Sequence, residues 1–557
     1  MADGGYVVYS DGDARVSLDS LPFLDSPLKK VLSDILTTAG QPGNTAGLLE
    51  LARRRSVQLV AIPYSVMVMT LADEFDISRN QASLAINTLA VAASTALLGL
   101  NNNLLIVALE NVFGQDHLAF ELNARAVSKA YEFINQYHGT TASRPWLHNQ
   151  QVDSEILFLN GSQSVALGKL AAGLTFQTYY PISPASDESV FLEEQDPQPL
   201  RNGDYTAPLV LQVEDEIAAA TMACGAALTG ARSATSTSGP GFCLMTESIG
   251  WSGMNEAPLV VSLYQRGGPS TGMPTRTEQG DLQFAIHAGH GEFPRLILAS
   301  GDIEDCFYDS LQAFNYAERY QLPVIHMLDK VLASGTQTLR RFRYEDKKID
   351  RGELFTPDNP DATPVERFAL TASGISPRPL VGQHNAQHWL SGAEHDIYGQ
   401  VSEDPGMREH MMEKRMRKQQ QILDDLSSEE KLRIYGNETA RFTVLTWGST
   451  KGAVWNAVKR MMQRGIEVRA IQVRLLWPFP AKELSELLAD TKPLVVAECN
   501  YSGQLNNLLC ERIGRGADHL LVKYNGRPMS GDAVFGALQT INAGNGTPRL
   551  VLHNTNE

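Results

Sequence analysis

The sequence predicts a multidomain α/β protein built on two doubly wound parallel sheets, and three observations predict it. The chain has 557 residues, too many for one hydrophobic core and enough for roughly three to four domains. From Glu155 to about Ala333, short apolar runs rich in Val, Leu and Thr alternate with stretches of helical period, the pattern of a parallel sheet with helical crossovers. The same alternation resumes at Arg441 after a long polar interval, so a second, smaller doubly wound domain follows.

Taken in order, the first segment, 1–138, joins a strand-like G-Y-V-V-Y to apolar helices and closes at G-T-T-A-S-R-P-W, read as a linker over 139–154. The run from Ala85 to Leu109 is apolar enough to suggest a membrane span. Asn87, Ser94 and the triplet Asn101, Asn102 and Asn103 interrupt it, so a buried helix pair is predicted instead. Residues 155–340 form the first sheet domain. A second linker, 341–438, runs through E-D-K-K-I-D-R-G-E-L and P-D-N-P-D-A-T-P. It carries a Met, Lys and Arg-rich helix near Met407 to Leu426, whose interspersed acids predict a solvated charged helix. Residues 439–557 hold the second sheet, with strands at R-F-T-V-L-T, E-V-R-A-I-Q-V and L-V-V-A-E.

A formal net charge of -16 argues against a nucleic-acid partner, since phosphate binding needs an excess of Lys and Arg. The N-terminus, M-A-D-G-G-Y, has no basic region followed by an apolar one, so the cytoplasm is the expected location. The five cysteines, Cys224, Cys243, Cys306, Cys499 and Cys510, are scattered without a C-x-x-C pair, so no zinc or iron–sulfur ligation is expected in this chain. His287 with His290, and His384 with His388, have helical metal-ligand spacing, but no motif supplies a third ligand and no metal site is expected.

The chemistry is expected at the carboxyl edge of the first sheet. Four predicted strands end in unusual loops. T-F-Q-T-Y-Y leads to Pro181-Ile182-Ser183-Pro184, and L-V-L-Q-V to Glu214-Asp215-Glu216. R-S-A-T-S-T-S leads to Gly239-Pro240-Gly241, and L-V-V-S-L-Y to Gln265-Arg266-Gly267-Gly268. In an open parallel sheet such loops converge on one crevice. Each also has a plain reading. The acids open a helix, where the macrodipole favours them. Ser183 between prolines shapes a turn, with Ser186 or Asp187 as the cap of the next helix. Arg266 beside glycines suits a carboxylate or phosphate. In W-G-S-T-K-G the amides and Lys451 form either an anion site or a simple helix start.

At these residues the chain resembles the alpha subunit of 2-oxoacid:ferredoxin oxidoreductases, of the type with a gamma-like domain fused ahead of alpha. Y-P-I-S-P-A-S at Tyr180 is similar to the family's Y-P-I-T-P-S-S, with serine keeping the hydroxyl. E-D-E-I-A-A at Glu214, T-S-T-S-G-P-G at Thr235 and Q-R-G-G-P-S-T-G-M-P-T-R-T-E-Q-G-D at Gln265 resemble family strings. So do H-G-E-F-P-R, L-D-K, G-A-E-H-D, W-G-S-T-K-G, L-L-W-P-F-P and N-Y-S-G-Q-L downstream. The first segment is similar to the latter part of the gamma domain, including V-A-I-P-Y at Val60. The family's glycine-rich G-x-G-G-Q-G loop is absent, so a truncated gamma domain or a missing subsite is expected.

The resemblance implies a thiamine-diphosphate-binding-like first sheet and a transketolase C-terminal-like second one. It implies coenzyme A-dependent oxidative decarboxylation of a 2-oxo acid, 2-oxoglutarate favoured over pyruvate, with electrons passed to ferredoxin. It assigns Glu216 to the aminopyrimidine ring of thiamine diphosphate, Arg266 to the substrate carboxylate and Ser183 to a substrate oxygen. Tyr180, Pro181, Ile182, Ser238, Gly239 and Pro240 would line the cofactor, and Gly267 and Gly268 the substrate. A smaller beta subunit would bring the cofactor's diphosphate, Mg2+ and a [4Fe-4S] cluster, in an alpha2beta2 assembly. Two alternatives stand beside this one: a transketolase-class thiamine enzyme, whose G-D-G...N motif is absent, and a noncatalytic assembly subunit.

Overall fold

Parallel strands joined by helices recur through the computed structural model, which describes residues 4–21, 24, 26–114, 116–137, 155–195, 198–199, 205–345, 347–356 and 364–553. The chain divides after Asp153 into two units. The linker predicted over 139–154 lies wholly outside the described residues.

In the first unit, strands Tyr6–Ser10 and Gln58–Ile62 pair in parallel. Helix Ile86–Leu97 places Leu89, Ala92, Ala93 and Ala96 against Ala126, Val127, Ala130 and Ile134 of helix His117–Tyr137. The alanines let the two backbones approach closely, which concentrates dispersion contacts. The predicted buried helix pair is therefore half right. The second helix, Asn103–Phe113, buries no residue completely, and Leu104, Val107 and Val112 stay more than half exposed. No helix among the described residues is long and apolar enough to cross a membrane.

The second unit holds two main sheets. The first runs in the order Leu475–Trp477, Leu296–Ala299, Pro323–Asp329, Leu259–Gln265, Ser233–Ser238, Phe176–Tyr179, Leu209–Gln212. All neighbours are parallel except the first pair. Phe176–Tyr179 lies between the next two strands of this sheet in sequence, Leu209–Gln212 and Ser233–Ser238, so the chain reverses its direction of travel there. Such a topological switch opens a crevice at the carboxyl ends of the strands. The second sheet runs Leu432–Gly436, Val468–Val473, Phe442–Thr446, Leu494–Glu498, His519–Val522, Arg549–Val551, with an antiparallel first pair. The antiparallel strand Leu475–Trp477 comes from the second sheet's part of the sequence yet extends the first sheet. One apolar core accordingly joins Phe242, Phe293 and Ile297 to Trp447, Leu476 and Leu505.

Helix Pro405–Asp425 overturns its prediction. It starts where expected, with Asp404 accepting from Met407 N at 2.7 Å and proline in the first turn. It is not a solvated face. Lys414, Arg415 and Lys418 are at most 1% exposed. Lys414 and Lys418 each reach one oxygen of the buried Glu256 at 2.5 Å, and Arg415 pairs with Glu394. A charge pattern that reads as solvent-facing is instead sunk into the unit, because three of its cations find acids far away in sequence.

Candidate functional site

The four loops singled out in the sequence follow four adjacent strands, so they line one edge of the first sheet. After Leu209–Gln212 come the three acids, and the structure separates them. Glu214 is exposed. Asp215 caps helix Glu216–Leu228, accepting from Ala218 N at 2.7 Å. Glu216, the first helical residue, is 6% exposed, and its carboxylate has no hydrogen-bonding or ionic partner among the described residues. A Cβ on Gly241 would stand 2.2 Å from Thr237 Oγ1 and 2.6 Å from Glu216 Oε1. Only glycine leaves that carboxylate its place.

Strand Ser233–Ser238 is buried at every position although five of its six residues carry hydroxyls. Ser233 donates to the Ala223 carbonyl at 2.7 Å, and Ser236 meets Ser189 at 3.1 Å. The Ser238 hydroxyl is buried without a partner among the described residues, although Ser238 holds the capping position of helix Gly239–Met254. Gly239 and Pro240 form that helix's first turn, where proline's missing N–H costs nothing.

Arg266 directly follows strand Leu259–Gln265 and is 7% exposed. Its Nη1 donates to the Ser183 carbonyl at 2.5 Å, its Nε has no acceptor, and no carboxylate among the described residues pairs with it. Burial pulls the guanidinium pKa below its ordinary value. Ser183 thus meets Arg266 through its backbone, and the residue itself is exposed, as are Tyr180 and Pro181; Ile182 is half-buried. Neither Ser186 nor Asp187 caps the following helix. Ala185 holds the cap position, and Ser186 Oγ accepts from Ile182 N at 2.8 Å, shaping the turn from inside the helix.

Gly267 and Gly268 fix the loop through their amides. Gly267 N donates to the Arg276 carbonyl at 3.0 Å and Gly268 N to Glu278 Oε2 at 3.1 Å. Sequence reasoning passed over the residues behind them. Gln265 Oε1 accepts from Asp281 N at 3.1 Å while its Nε2 donates to the Leu328 carbonyl at 3.2 Å. Asp281 Oδ2 lies 3.0 Å from where a Cβ of Gly239 would stand. The signal for them in the sequence is the acid spacing within T-R-T-E-Q-G-D.

Other candidates are used elsewhere. Lys451 is spent on ion pairs with Asp302 and Asp305, so the helix-start reading of W-G-S-T-K-G holds. His384 and His388 lie in an irregular stretch rather than a helix, and His290 pairs with Glu247 at 3.1 Å. Cys224, Cys306 and Cys499 are buried thiols, Cys243 and Cys510 exposed ones. Together the edge presents an unpaired carboxylate, an unpaired guanidinium, a buried hydroxyl and glycine backbone. That set suits a ligand with a hydrogen-bonding ring at one place and an anionic group at another.

Asp281 supplies a pH test of this edge. Burial, and next the neighbouring Glu278, push its carboxyl up to about 6, above the roughly 3.9 of an unfolded Asp. Between those values the folded chain holds the proton that the unfolded chain has released, so stability falls as pH rises through that window and stays lower above it. Asp281→Asn is expected to raise stability at pH 7.5 by at most about 3 kcal/mol, with the advantage gone near pH 4. Thermal melts at both pH values check it, and an equal shift at both would refute the assignment.

Comparison with known proteins places these features in context. Residues 167–414 match the model described as pyruvate flavodoxin/ferredoxin oxidoreductase, thiamine diphosphate-binding. Residues 440–529 match pyruvate:ferredoxin oxidoreductase core domain II, and residues 1–133 pyruvate ferredoxin/flavodoxin oxidoreductase. The chain is 40% identical over 511 residues to the 2-oxoacid:ferredoxin oxidoreductase subunit alpha of Saccharolobus solfataricus, covering 90% of this chain and 79% of that one. It is 30% identical over 370 residues to the 2-oxoglutarate synthase subunit KorA of Methanocaldococcus jannaschii, covering 66% and 94%. Among solved structures it is similar to the 2-oxoglutarate:ferredoxin oxidoreductase of Magnetococcus marinus, determined with 2-oxoglutarate, coenzyme A and succinyl-CoA bound. The TM-score is 0.76 and the identity 32%, covering 87% of this chain and 80% of that one.

Proposed function

The chain belongs to the alpha subunits of the 2-oxoacid:ferredoxin oxidoreductases, and from that membership we propose that it binds 2-oxoglutarate and the ring end of thiamine diphosphate in the crevice between Glu216 and Arg266. The reaction converts 2-oxoglutarate and coenzyme A to succinyl-CoA, CO2 and a proton, while two electrons pass singly to ferredoxin. When bound, thiamine diphosphate supplies the electron sink that makes loss of CO2 from a 2-oxo acid feasible. The observation that carries the proposal is that one sheet edge holds a buried carboxylate and a buried guanidinium, neither of them paired with an opposite charge among the described residues.

These residues fit the cofactor and substrate. Glu216, held beside Gly241, accepts a hydrogen bond from the aminopyrimidine ring and keeps a proton available at that point. Ser238, Gly239 and Pro240 with Tyr180, Pro181 and Ile182 form the walls around the ring. Arg266 holds the substrate carboxylate through its planar fork, Ser183 donates its exposed hydroxyl to a substrate oxygen, and Gly267 and Gly268 let the substrate lie against backbone. The cofactor's diphosphate with Mg2+, and a [4Fe-4S] cluster, belong to a beta subunit in an alpha2beta2 assembly, because this chain lacks the cysteine spacing for a cluster. The cytoplasm, which keeps thiols reduced, suits the five free cysteines. The preference for 2-oxoglutarate is supported by the KorA relative and by the substrate named for the Magnetococcus marinus structure.

Expression of this chain alone should give a colourless, inactive protein, and co-expression with its beta subunit a brown complex that reduces viologen. A substrate panel should give a higher kcat/KM for 2-oxoglutarate than for pyruvate. The reverse ranking would overturn the substrate. Activity from the isolated chain would overturn the shared site.

A further inference from the structure

The loop that carries Arg266 is held from both sides of the second unit, and a single residue joins the two holds. Within the first sheet's own part, the segment from Arg276 to Asp281 fixes the loop by three bonds: Gly267 N to the Arg276 carbonyl, Gly268 N to Glu278 Oε2, and Asp281 N to Gln265 Oε1. In the middle of that segment stands Gln279, which is fully buried and turned towards the second sheet. Its main-chain N donates to the Cys499 carbonyl at 2.6 Å, and its Oε1 accepts from Cys499 N at 2.7 Å. Its Nε2 donates to the Trp447 carbonyl at 2.8 Å, and its own carbonyl accepts from Asn500 Nδ2 at 3.1 Å.

These partners sit at the carboxyl ends of two neighbouring strands of the second sheet, Phe442–Thr446 and Leu494–Glu498. They are themselves braced. The buried Glu498 accepts from Asn500 Nδ2 at 2.7 Å and from Leu505 N at 2.9 Å. Gly448 has a φ of 57°, and a Cβ there would stand 2.5 Å from Gln279 Nε2. That position therefore admits only glycine if the glutamine is to reach Trp447. W-G-S-T-K-G and N-Y-S-G-Q-L, which made no ligand site of their own, are accounted for as the two jaws around Gln279.

We propose that Gln279 is a positioning residue: it locks the second sheet onto the Arg276–Asp281 segment and so sets the place of Arg266 for the substrate carboxylate. The proposal rests on the reading of Arg266 given above. A glutamine is suited to the task because one amide both donates and accepts across two strand ends. A guanidinium displaced by even about 1 Å loses much of a bidentate contact.

The test uses the co-expressed complex. Gln279→Ala is expected to raise KM for the 2-oxo acid about tenfold or more while kcat changes by less than about threefold. Arg266→Ala should raise KM further, and the double variant should match Arg266→Ala within about twofold in kcat/KM, since both changes spoil one contact. Losses that multiply in the double variant, or a normal KM in Gln279→Ala, would overturn the latch while leaving Arg266 in its role. A normal kcat/KM in Arg266→Ala would instead sink the Arg266 reading, and with it the route by which Gln279 acts. If Gln279→Ala does not fold, Gln279→Glu decides the matter. Protonated, its carboxyl can still donate to Trp447, so its kcat/KM relative to the parent should recover as pH falls from 9 to 5.5; a ratio flat and low across that range counts against the latch.

Discussion

Glu216→Gln in the co-expressed complex is expected to lower turnover about a hundredfold or more while the complex still binds thiamine diphosphate and melts within a few degrees of the parent. The amide has nearly the volume of the carboxylate, so it keeps the space that Gly241 leaves beside Thr237. Asp215 still caps the helix, and the lost helix-dipole interaction is worth about 0.3 to 1 kcal/mol. What disappears, in the role proposed for Glu216, is the charge that makes a ring proton exchangeable. Steady-state turnover measured beside cofactor affinity separates the outcomes. Near-normal turnover would remove Glu216 from its role, and loss of cofactor binding with lost turnover would make it an anchor instead.

Glu256→Gln is expected to be the most damaging change to the fold. Glu256 is 0% exposed, and although burial pushes its carboxyl upward, Lys414 and Lys418 outweigh that and hold it well below the usual range. Removing its charge leaves two buried ammonium groups beside Arg367, whose Nη2 reaches the Glu256 carbonyl at 2.9 Å, with no counter-ion. Breaking a buried pair in this way costs about 3 to 5 kcal/mol, here with two lysines stranded rather than one. The sign of the pH dependence follows. Lys418 already has its pKa drawn down to about 7 by burial, so in the variant the lysines can shed protons as pH rises. The deficit should be larger at pH 6 than at pH 9. Urea midpoints of the variant and parent at the two pH values measure it, and a deficit that grows with pH would show that the lysines are not the source.

The amino-acid sequence by itself determined the α/β architecture and grouped the proposed site residues on one edge of it. Strand and helix periods are local, and the loop after each parallel strand must lie at the same edge, so Ser183, Glu216, Gly239 and Arg266 could be grouped from strand ends alone. Family strings then pointed to Glu216 among three neighbouring acids. Only the tertiary structure showed how those acids divide, with Asp215 consumed as a cap, Glu214 in solvent and the Glu216 carboxylate buried without a partner among the described residues. It alone sank Lys414 and Lys418 onto Glu256, bound Lys451 to Asp302 and Asp305, carried the strand Leu475–Trp477 across to the first sheet and set Gln279 between two strand ends. The reason is physical. A period of 2 or 3.6 is written into a few consecutive residues, whereas an ion pair or amide latch between residues more than a hundred positions apart exists only once packing has brought its members together and removed the water between them.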